Sequence, residues 1–157
     1  MTGRSAGRLA LAALFLSAPA LAGPALAGPA LQAQGRDGGV IAAFPMPEGH
    51  EICLHWAHSV TGGKVADCFE NRMDRLTLTR SYLHDFAAGL GEVEGRGTLT
   101  PAPQGGYWIM DINEALPDNR LALRTGSGAV GHRLVAGEKT IALPLQTALT
   151  LILTRPN

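Results

Sequence analysis

The sequence has no excess of either charge and few aromatic side chains. It has 157 residues, of which 13 are Lys or Arg and 13 are Asp or Glu, and only 5% are aromatic. Proteins that bind nucleic acid or an anionic membrane surface do so through a basic face. No basic run follows the N-terminal segment, so we expect no nucleic-acid partner and no anionic membrane partner.

Long apolar runs are also lacking, apart from one near the N-terminus. Arg4 and Arg8 precede the short apolar run Leu9–Leu16, and small residues follow it, an order typical of a signal peptide. A membrane span needs about 20 uninterrupted apolar residues, and several prolines interrupt this segment. We predict a signal peptide over residues 1–27, cleaved after Ala22 or Ala27, with no stable membrane span afterwards. The composition resembles that of a high-GC bacterium, so the expected location is the periplasm.

The remaining residues show little helical periodicity and many short alternating runs. Residues 28–39 include the polar, glycine-rich QAQGRDGG and predict a flexible lead-in, and residues 40–157 predict a single β domain. We expect an all-β fold, a small antiparallel sandwich or partly open barrel of about eight short strands. The predicted strands are Val40–Phe44, Glu48–Val60, Lys64–Glu70, Arg75–Tyr82, Tyr107–Ile112, Leu121–Thr125, His132–Ala136, Lys139–Leu143 and Ala148–Thr154.

The stretch Ile52–Phe69 predicts a β-hairpin that holds most of the chemically versatile side chains. If Gly62 and Gly63 occupy the two central turn positions, paired residue numbers add up to 125. His58 then faces Asp67, and the carboxylate can orient the imidazole and raise its pKa. A histidine held in this way can act as a base, a ligand or a pH-sensitive latch, or the pair can be purely structural.

The two cysteines favour a different register of the same hairpin. An exported protein with two cysteines ordinarily forms a disulfide, and direct pairing of Cys53 with Cys68 requires numbers that add up to 121. That register places His58 opposite Gly63 and separates it from Asp67. We favour the glycine turn, with both cysteines free and buried, and keep the disulfide as the alternative.

Motifs for metal, cofactor and enzyme chemistry are weak. His55 and His58 point to opposite faces of a strand, and the cysteines lack the close spacing of zinc motifs. Gly126–Gly131 (GSGAVG) matches a dinucleotide motif in letters, but a strand and not a helix is predicted after it. We expect no metal, no cofactor and no enzyme activity. The alternative is a small hydrolase with His58 as base and Asp67 as its orienting acid.

A loop and a second histidine complete the predicted binding surface. The segment Asp85–Glu92 (DFAAGLGE) combines an aromatic residue with flexible glycines, which suits close contact with a ligand or partner and equally suits a tight corner of a sandwich. His132 opens a later predicted hairpin. The candidate binding residues are therefore His58, Ser59, Asp67, Asp85, Phe86, Gly89 and His132.

The order of these motifs resembles a known family. An HSV triplet begins at His58, an acid follows nine residues later, DFAAGLGE comes next, and the tail Leu123–Leu143 has the pattern LRTG, H and I-x-L. Together they resemble the domain of unknown function 1850 family over about residues 48–153. His58, Ser59, Phe86, Ala88, Gly89, Leu90, Gly126 and His132 match the family pattern. Asp67 stands where the pattern has glutamate, and Asp85, Ala87 and Gly91 replace serine, glycine and proline.

The resemblance implies a location and a partner and not a mechanism. Members are small exported bacterial proteins often encoded beside TRAP transporters of the TAXI subclass, and no activity is established for them. The sequence and the resemblance together predict a non-enzymatic periplasmic accessory or binding protein. Its expected partner is a transporter component or a small solute.

Overall fold

A computed structural model describes residues 28–85 and 95–155. The described residues form twelve strands and one short 3-10 helix at Pro117–Asn119. No helix in these two ranges has the length and apolarity that a membrane crossing requires. The strands are β1 (Ala30–Gln34), β2 (Val40–Pro45), β3 (Glu51–Ala57), β4 (Lys64–Arg72), β5 (Arg75–Leu83), β6 (Thr98–Pro101), β7 (Tyr107–Met110), β8 (Glu114–Ala115), β9 (Arg120–Arg124), β10 (Arg133–Ala136), β11 (Lys139–Ala142) and β12 (Ala148–Thr154).

Two antiparallel sheets make up the fold. The smaller sheet has the order β2-β1-β12-β9, and the larger has the order β11-β10-β3-β4-β5-β7-β6, with β8 beside β5 as its eighth strand. Neither sheet closes into a barrel. The predicted all-β class is therefore confirmed, as an open antiparallel arrangement with more strands than the sequence indicated.

The core lies between the two sheets. Side chains alternate along each strand, and the inward-facing set of both sheets forms one apolar cluster. Ala136 pairs with Lys139, so Gly137 and Glu138 form a two-residue connection between β10 and β11. Fully or almost fully buried members of the cluster are Leu31, Ala33, Phe44 and Leu151 from the smaller sheet, and Ile52, Leu54, Phe69, Leu76 and Leu134 from the larger.

The predicted lead-in at residues 28–39 needs correction. Ala30–Gln34 forms β1, an inner strand of the smaller sheet that pairs with β2 on one side and β12 on the other. Leu31 and Ala33 are completely buried, so the folded part begins well before Val40. The polar, glycine-rich letters after Gln34 form the β1–β2 turn, in which the Gly38 N–H donates to the Gly35 carbonyl.

The favoured register of the β3–β4 hairpin is wrong. Cys53 pairs with Cys68 and Ala57 with Lys64, and the two sulfurs form a disulfide. The Cα atoms of the cysteines are 4.0 Å apart. Gly62 does not share a two-residue turn with Gly63. It lies near the end of a longer loop, at φ 71°, where the left-handed conformation favours glycine.

Candidate functional site

One row of side chains crosses the outer face of the larger sheet, the face turned away from the core. Direct cross-strand pairing runs from Arg133 to His55, Ala66, Tyr82 and Trp108. Directly opposite residues have their Cβ atoms about 5 Å apart on the same face. Five strands, β10, β3, β4, β5 and β7, therefore present one continuous line of side chains.

This row lies in a cavity of about 450 Å³. The volume falls within the range usual for small-molecule sites, roughly 300–1,000 Å³. Ala66 is only 2% exposed, because Tyr82 and Ala102 pack on it, and it forms part of the floor of the cavity. We call this cavity the outer-face pocket. Its outward-facing lining consists of His55, Lys64, Ala66, Tyr82, His84, Gln104, Trp108 and Arg133.

The turn between β6 and β7 forms one wall of the outer-face pocket. The Tyr82 hydroxyl donates a hydrogen bond of 2.7 Å to the Gly105 carbonyl, which ties this turn to β5. Ala102 packs on Ala66 and Tyr82 beneath the turn. Gln104 at the tip of the turn lines the pocket, so the hydroxyl of Tyr82 holds a polar side chain at the pocket mouth.

The charges in the outer-face pocket have one sign. Lys64 and Arg133 carry full positive charges, and His55 and His84 add two imidazoles, whereas no carboxylate is present among the described lining residues. Neither Lys64 nor Arg133 forms an ion pair within the parts of the chain that the structure describes. The pocket therefore offers two positive charges that form no ion pair in these parts, with Asp85 beside Gly63 as the acid at its edge.

A charged side chain fixes the aromatic wall from the neighbouring row. The Arg80 guanidinium carbon lies 4.5 Å from the centre of the Trp108 ring, a cation–π contact. Both oxygens of Glu51 accept hydrogen bonds from Arg80, at 2.9 and 2.6 Å. Tyr82 contacts the same ring at a centroid distance of 5.3 Å, so the position of Trp108 is determined from two sides.

Burial and charge both act on His55. Burial lowers the pKa of its imidazole, and the nearby Arg133 guanidinium lowers this pKa further. Both effects disfavour the protonated ring, since it would lose solvent and face a like charge. At neutral pH the His55 ring is therefore neutral, with one nitrogen able to donate and the other able to accept a hydrogen bond.

The disulfide lies in the next row of the same outer face. Val135, Cys53, Cys68 and Arg80 pair across β10, β3, β4 and β5. Glu51, Cys53 and Cys68 bring one oxygen and two sulfurs within 4.8 Å of one another, which is a possible metal-ligand grouping. In the oxidised protein the sulfurs are not thiolates, and Arg80 occupies the carboxylate, so this group is unsuited to metal binding in that state.

His58 and Asp67 do not form the predicted pair. The His58 N–H donates to the Gly63 carbonyl, and Asp67 pairs with Leu54. Gly63 and Asp67 are four residues apart on the return strand, or roughly 13 Å at the usual rise. The His58 Nδ1 accepts from the backbone N–H groups of Val60 and Thr61, both at 3.3 Å. His58 thus organises the β3–β4 loop, in which Ser59 is exposed.

Asp67 points to the opposite face from the outer-face pocket. Its Oδ1 accepts a 2.5 Å hydrogen bond from the Ser81 hydroxyl, and its direct partner Leu54 belongs to the core. Burial raises the pKa of this carboxyl, while the Ser81 hydrogen bond and the Arg96 charge offset part of the increase. Asp67 is therefore a partly buried acid on the core side of the sheet and not the partner of His58.

The remaining predicted residues are spread over two further places. The His132 ring stacks on Trp56 with centroids 5.9 Å apart, its Nδ1 accepts from the Gly126 N–H at 3.2 Å, and burial lowers its pKa. Asp85 lies against Gly63, where an added Cβ would be 2.1 Å from its Oδ2. Phe86 and Gly89 lie outside the described residues.

None of the candidate binding residues named from the sequence lines the outer-face pocket. The linear order of the chain does not connect His55 with Arg133, Tyr82 and Trp108. The signal that connects them is the cysteine pairing. Numbers that add up to 121 put His55 opposite Ala66, and pairing with the next strand then brings in Tyr82.

Comparison with protein families decides the affiliation of the chain. One family model, described as domain of unknown function 1850, matches residues 52–143, more than half of the chain. The chain belongs to this family. The region that matches the domain of unknown function 1850 runs from β3 to β11 and contains every side chain of the outer-face pocket. No curated protein and no solved structure matches the chain significantly.

Proposed function

We propose that this member of the domain of unknown function 1850 family is an exported, non-enzymatic binding protein that takes a small solute in the outer-face pocket. The observation that carries the proposal is the row from Arg133 to Trp108. It brings basic, hydrogen-bonding and aromatic side chains into one cavity of about 450 Å³. A mixed lining with a few convergent polar groups is the usual composition of a small-ligand site.

Export is supported by the disulfide and by the N-terminal sequence. Disulfides persist in oxidising compartments such as the bacterial periplasm and are rare in the cytosol. The Cys53–Cys68 bond therefore fits the predicted signal peptide at residues 1–27. The proposed cellular role is that of an accessory to a TRAP transporter of the TAXI subclass. This role is supported only by the family resemblance, and co-purification with such a transporter tests it.

The hydrolase alternative has lost its geometric basis. It required His58 beside Asp67, whereas the hairpin register separates them and His58 accepts from two loop N–H groups. Hydrolase substrates offered to the wild-type and His58→Ala proteins separate the two functions. Turnover that disappears in His58→Ala would contradict the non-enzymatic proposal.

Filling the outer-face pocket tests the binding function. The purified, oxidised full chain is screened by thermal shift against small anionic, neutral and cationic solutes, and each hit is repeated with Ala66→Leu. The larger side chain should occupy the cavity and weaken binding by at least about tenfold. Ala122→Leu is the matched control, because Ala122 is an exposed alanine on β9 of the smaller sheet.

Two outcomes would contradict the proposal. One is that no solute of any charge raises the melting temperature at millimolar concentration, and the other is that Ala66→Leu binds as tightly as the wild type. If Ala66→Leu does not fold, Trp108→Ala removes the opposite wall without adding volume. The same loss of binding is then expected.

A further inference from the structure

We propose that the ligand of the outer-face pocket is a small organic anion, with a carboxylate held by Arg133 and Lys64 and a flat apolar part against Trp108. This inference rests on the binding function proposed above and adds the chemical class of the ligand. The pocket has two chemically different halves, and each half selects one part of such a molecule.

The first half is basic. Arg133 on β10 and His55 on β3 are direct neighbours, and Lys64 lies at the start of β4, opposite Ala57. The guanidinium presents several N–H donors in a planar fork that matches a carboxylate, and the ammonium adds a compact charge. Both side chains lack an ion-pair partner in the described parts of the chain. A carboxylate would supply that partner.

The second half is aromatic. Tyr82 and Trp108 are direct neighbours on β5 and β7, and their rings meet at an interplanar angle of 55°. Arg80 lies over the Trp108 ring and is itself held by Glu51. The aromatic wall is therefore in place before a ligand arrives, which reduces the ordering cost of binding. A flat apolar group makes the largest contact with such a wall.

The size of the cavity sets the scale of the anion. A volume of about 450 Å³ lies within the roughly 300–1,000 Å³ usual for sites that bind drug-sized molecules. A fused bicyclic ring that carries one carboxylate fits this space. A single inorganic ion would contact the basic half and leave the aromatic half empty.

Ligands of other charge fit less well. A cationic solute would face Lys64 and Arg133 with no carboxylate among the described lining residues to balance its charge. The like charges would repel one another. A neutral solute would leave both basic side chains without an ion-pair partner in the described parts of the chain. The structure therefore favours an anion over a neutral molecule of the same shape, and over a cation most strongly.

Three probes of one shape measure this preference. Titration calorimetry at low and at moderate salt measures the affinity of the oxidised full chain for 2-naphthoate, 2-naphthamide and 2-naphthylmethylamine. A separate titration with phenyl phosphate tests whether a phosphate can replace the carboxylate. We expect 2-naphthoate to bind at least tenfold more tightly than the amide, and the amine to bind weakest. The advantage of the carboxylate should shrink as salt increases.

Single substitutions assign the two halves. Arg133→Ala and Lys64→Ala should each weaken 2-naphthoate by about tenfold, as expected for one charge-assisted hydrogen bond, and should change the amide little. Trp108→Leu should weaken all naphthyl probes together. Arg120→Ala is the matched control, since it removes an exposed guanidinium from β9 of the smaller sheet.

The outcomes separate this inference from the function on which it rests. If the amide or the amine binds as tightly as 2-naphthoate and Ala66→Leu blocks that binding, the pocket is a ligand site but the anion is wrong. If Arg133→Ala and Lys64→Ala leave 2-naphthoate unchanged, the assigned contacts are wrong. If no solute of any charge binds in the broader screen, the binding function itself fails.

Discussion

Cys53 lies directly opposite Cys68, and their disulfide joins β3 to β4. These two strands also carry His55 and Ala66, the residues at the centre of the outer-face pocket. The covalent link and the pocket therefore share one hairpin and one face. Any slip of this hairpin by a residue or more would break the row of side chains that forms the pocket.

Removal of the disulfide should destabilise the whole fold. The bond closes a loop with a sequence separation of 15, and loss of a cross-link of this length costs about 3 kcal/mol. We expect the Cys53→Ala/Cys68→Ala protein to lose about this much free energy of unfolding in urea. Reductant should lower the stability of the wild type and leave the double variant unchanged. Equal stability of the oxidised wild type and the double variant would contradict the role of the disulfide.

Asp67 should make stability depend on pH. Its pKa is raised in the folded state by burial, above the ordinary value of about 3.9. Between the two pKa values the folded protein holds a proton that the unfolded chain has lost. The stabilisation that this proton provides disappears as the pH rises through the folded-state pKa. The free energy of unfolding of Asp67→Asn, compared with that of the wild type, should therefore be higher at pH 7 than at pH 4. Urea unfolding at both pH values measures this.

The control for Asp67 is Asp111→Asn, which changes an exposed aspartate at positive φ. Its effect on the free energy of unfolding at the two pH values is the reference with which the effect of Asp67→Asn is compared. A pH-independent difference between Asp67→Asn and the wild type would show that burial of the carboxyl does not alter its proton affinity.

His55 should make the folded protein less stable at low pH, the opposite of the effect of Asp67. Burial and then Arg133 lower the pKa of the folded-state imidazole, below the ordinary value of about 6.5. The unfolded chain therefore binds the proton first, and the folded state loses stability as the pH falls below about 6.5. Burial lowers the pKa of His132 in the same way, so His55→Gln should remove only part of this loss.

Arg133→Ala provides a direct check of the His55 environment. The imidazole titration of His55, followed by NMR, should move to higher pH when the neighbouring guanidinium is removed, because the like charge is gone. The titration should remain below the ordinary value, since burial is the larger cause. An unchanged titration would mean that Arg133 does not influence the ring.

Gly106 should tolerate no side chain. Its φ is 71°, and an added Cβ would be 2.4 Å from the Leu83 carbonyl oxygen and 2.7 Å from the His84 Cα. Gly106→Ala should cost at least roughly 1–3 kcal/mol of stability and displace the turn that carries Gln104, so that pocket binding also weakens. Gly128→Ala is the comparison, with its nearest neighbour 3.9 Å away. Similar losses in both variants would contradict this account.

The fold class could be predicted from the sequence, but the hairpin register could not. Period-two alternation marks strands and faces. However, the two candidate registers differ by four residues, and an even shift leaves every side chain on its own face. Hydrophobic pattern therefore cannot choose between them. The local preference of Gly62-Gly63 for a turn favoured the register that the protein does not adopt. The long-range link between Cys53 and Cys68 belongs to the register that it does adopt.

Dependence on long-range strand pairing also explains why the sequence did not predict β1 or the outer-face pocket. The alternation of Leu31 and Ala33 is short and adjoins a glycine-rich turn, so the inner strand β1 becomes apparent only when β12 pairs with it. The outer-face pocket draws its side chains from five strands that are separate in sequence. Such a site depends on strand order, which a single sequence does not specify.

The row from Arg133 to Trp108 also has a consequence for the dynamics of the sheet. Four inter-strand steps separate these residues, roughly 19 Å at about 4.8 Å per step. A molecule in contact with both halves would bridge β10 and β7 across the three strands between them. Amide protons of both strands would then exchange with solvent more slowly, although the two strands lie far apart along the chain.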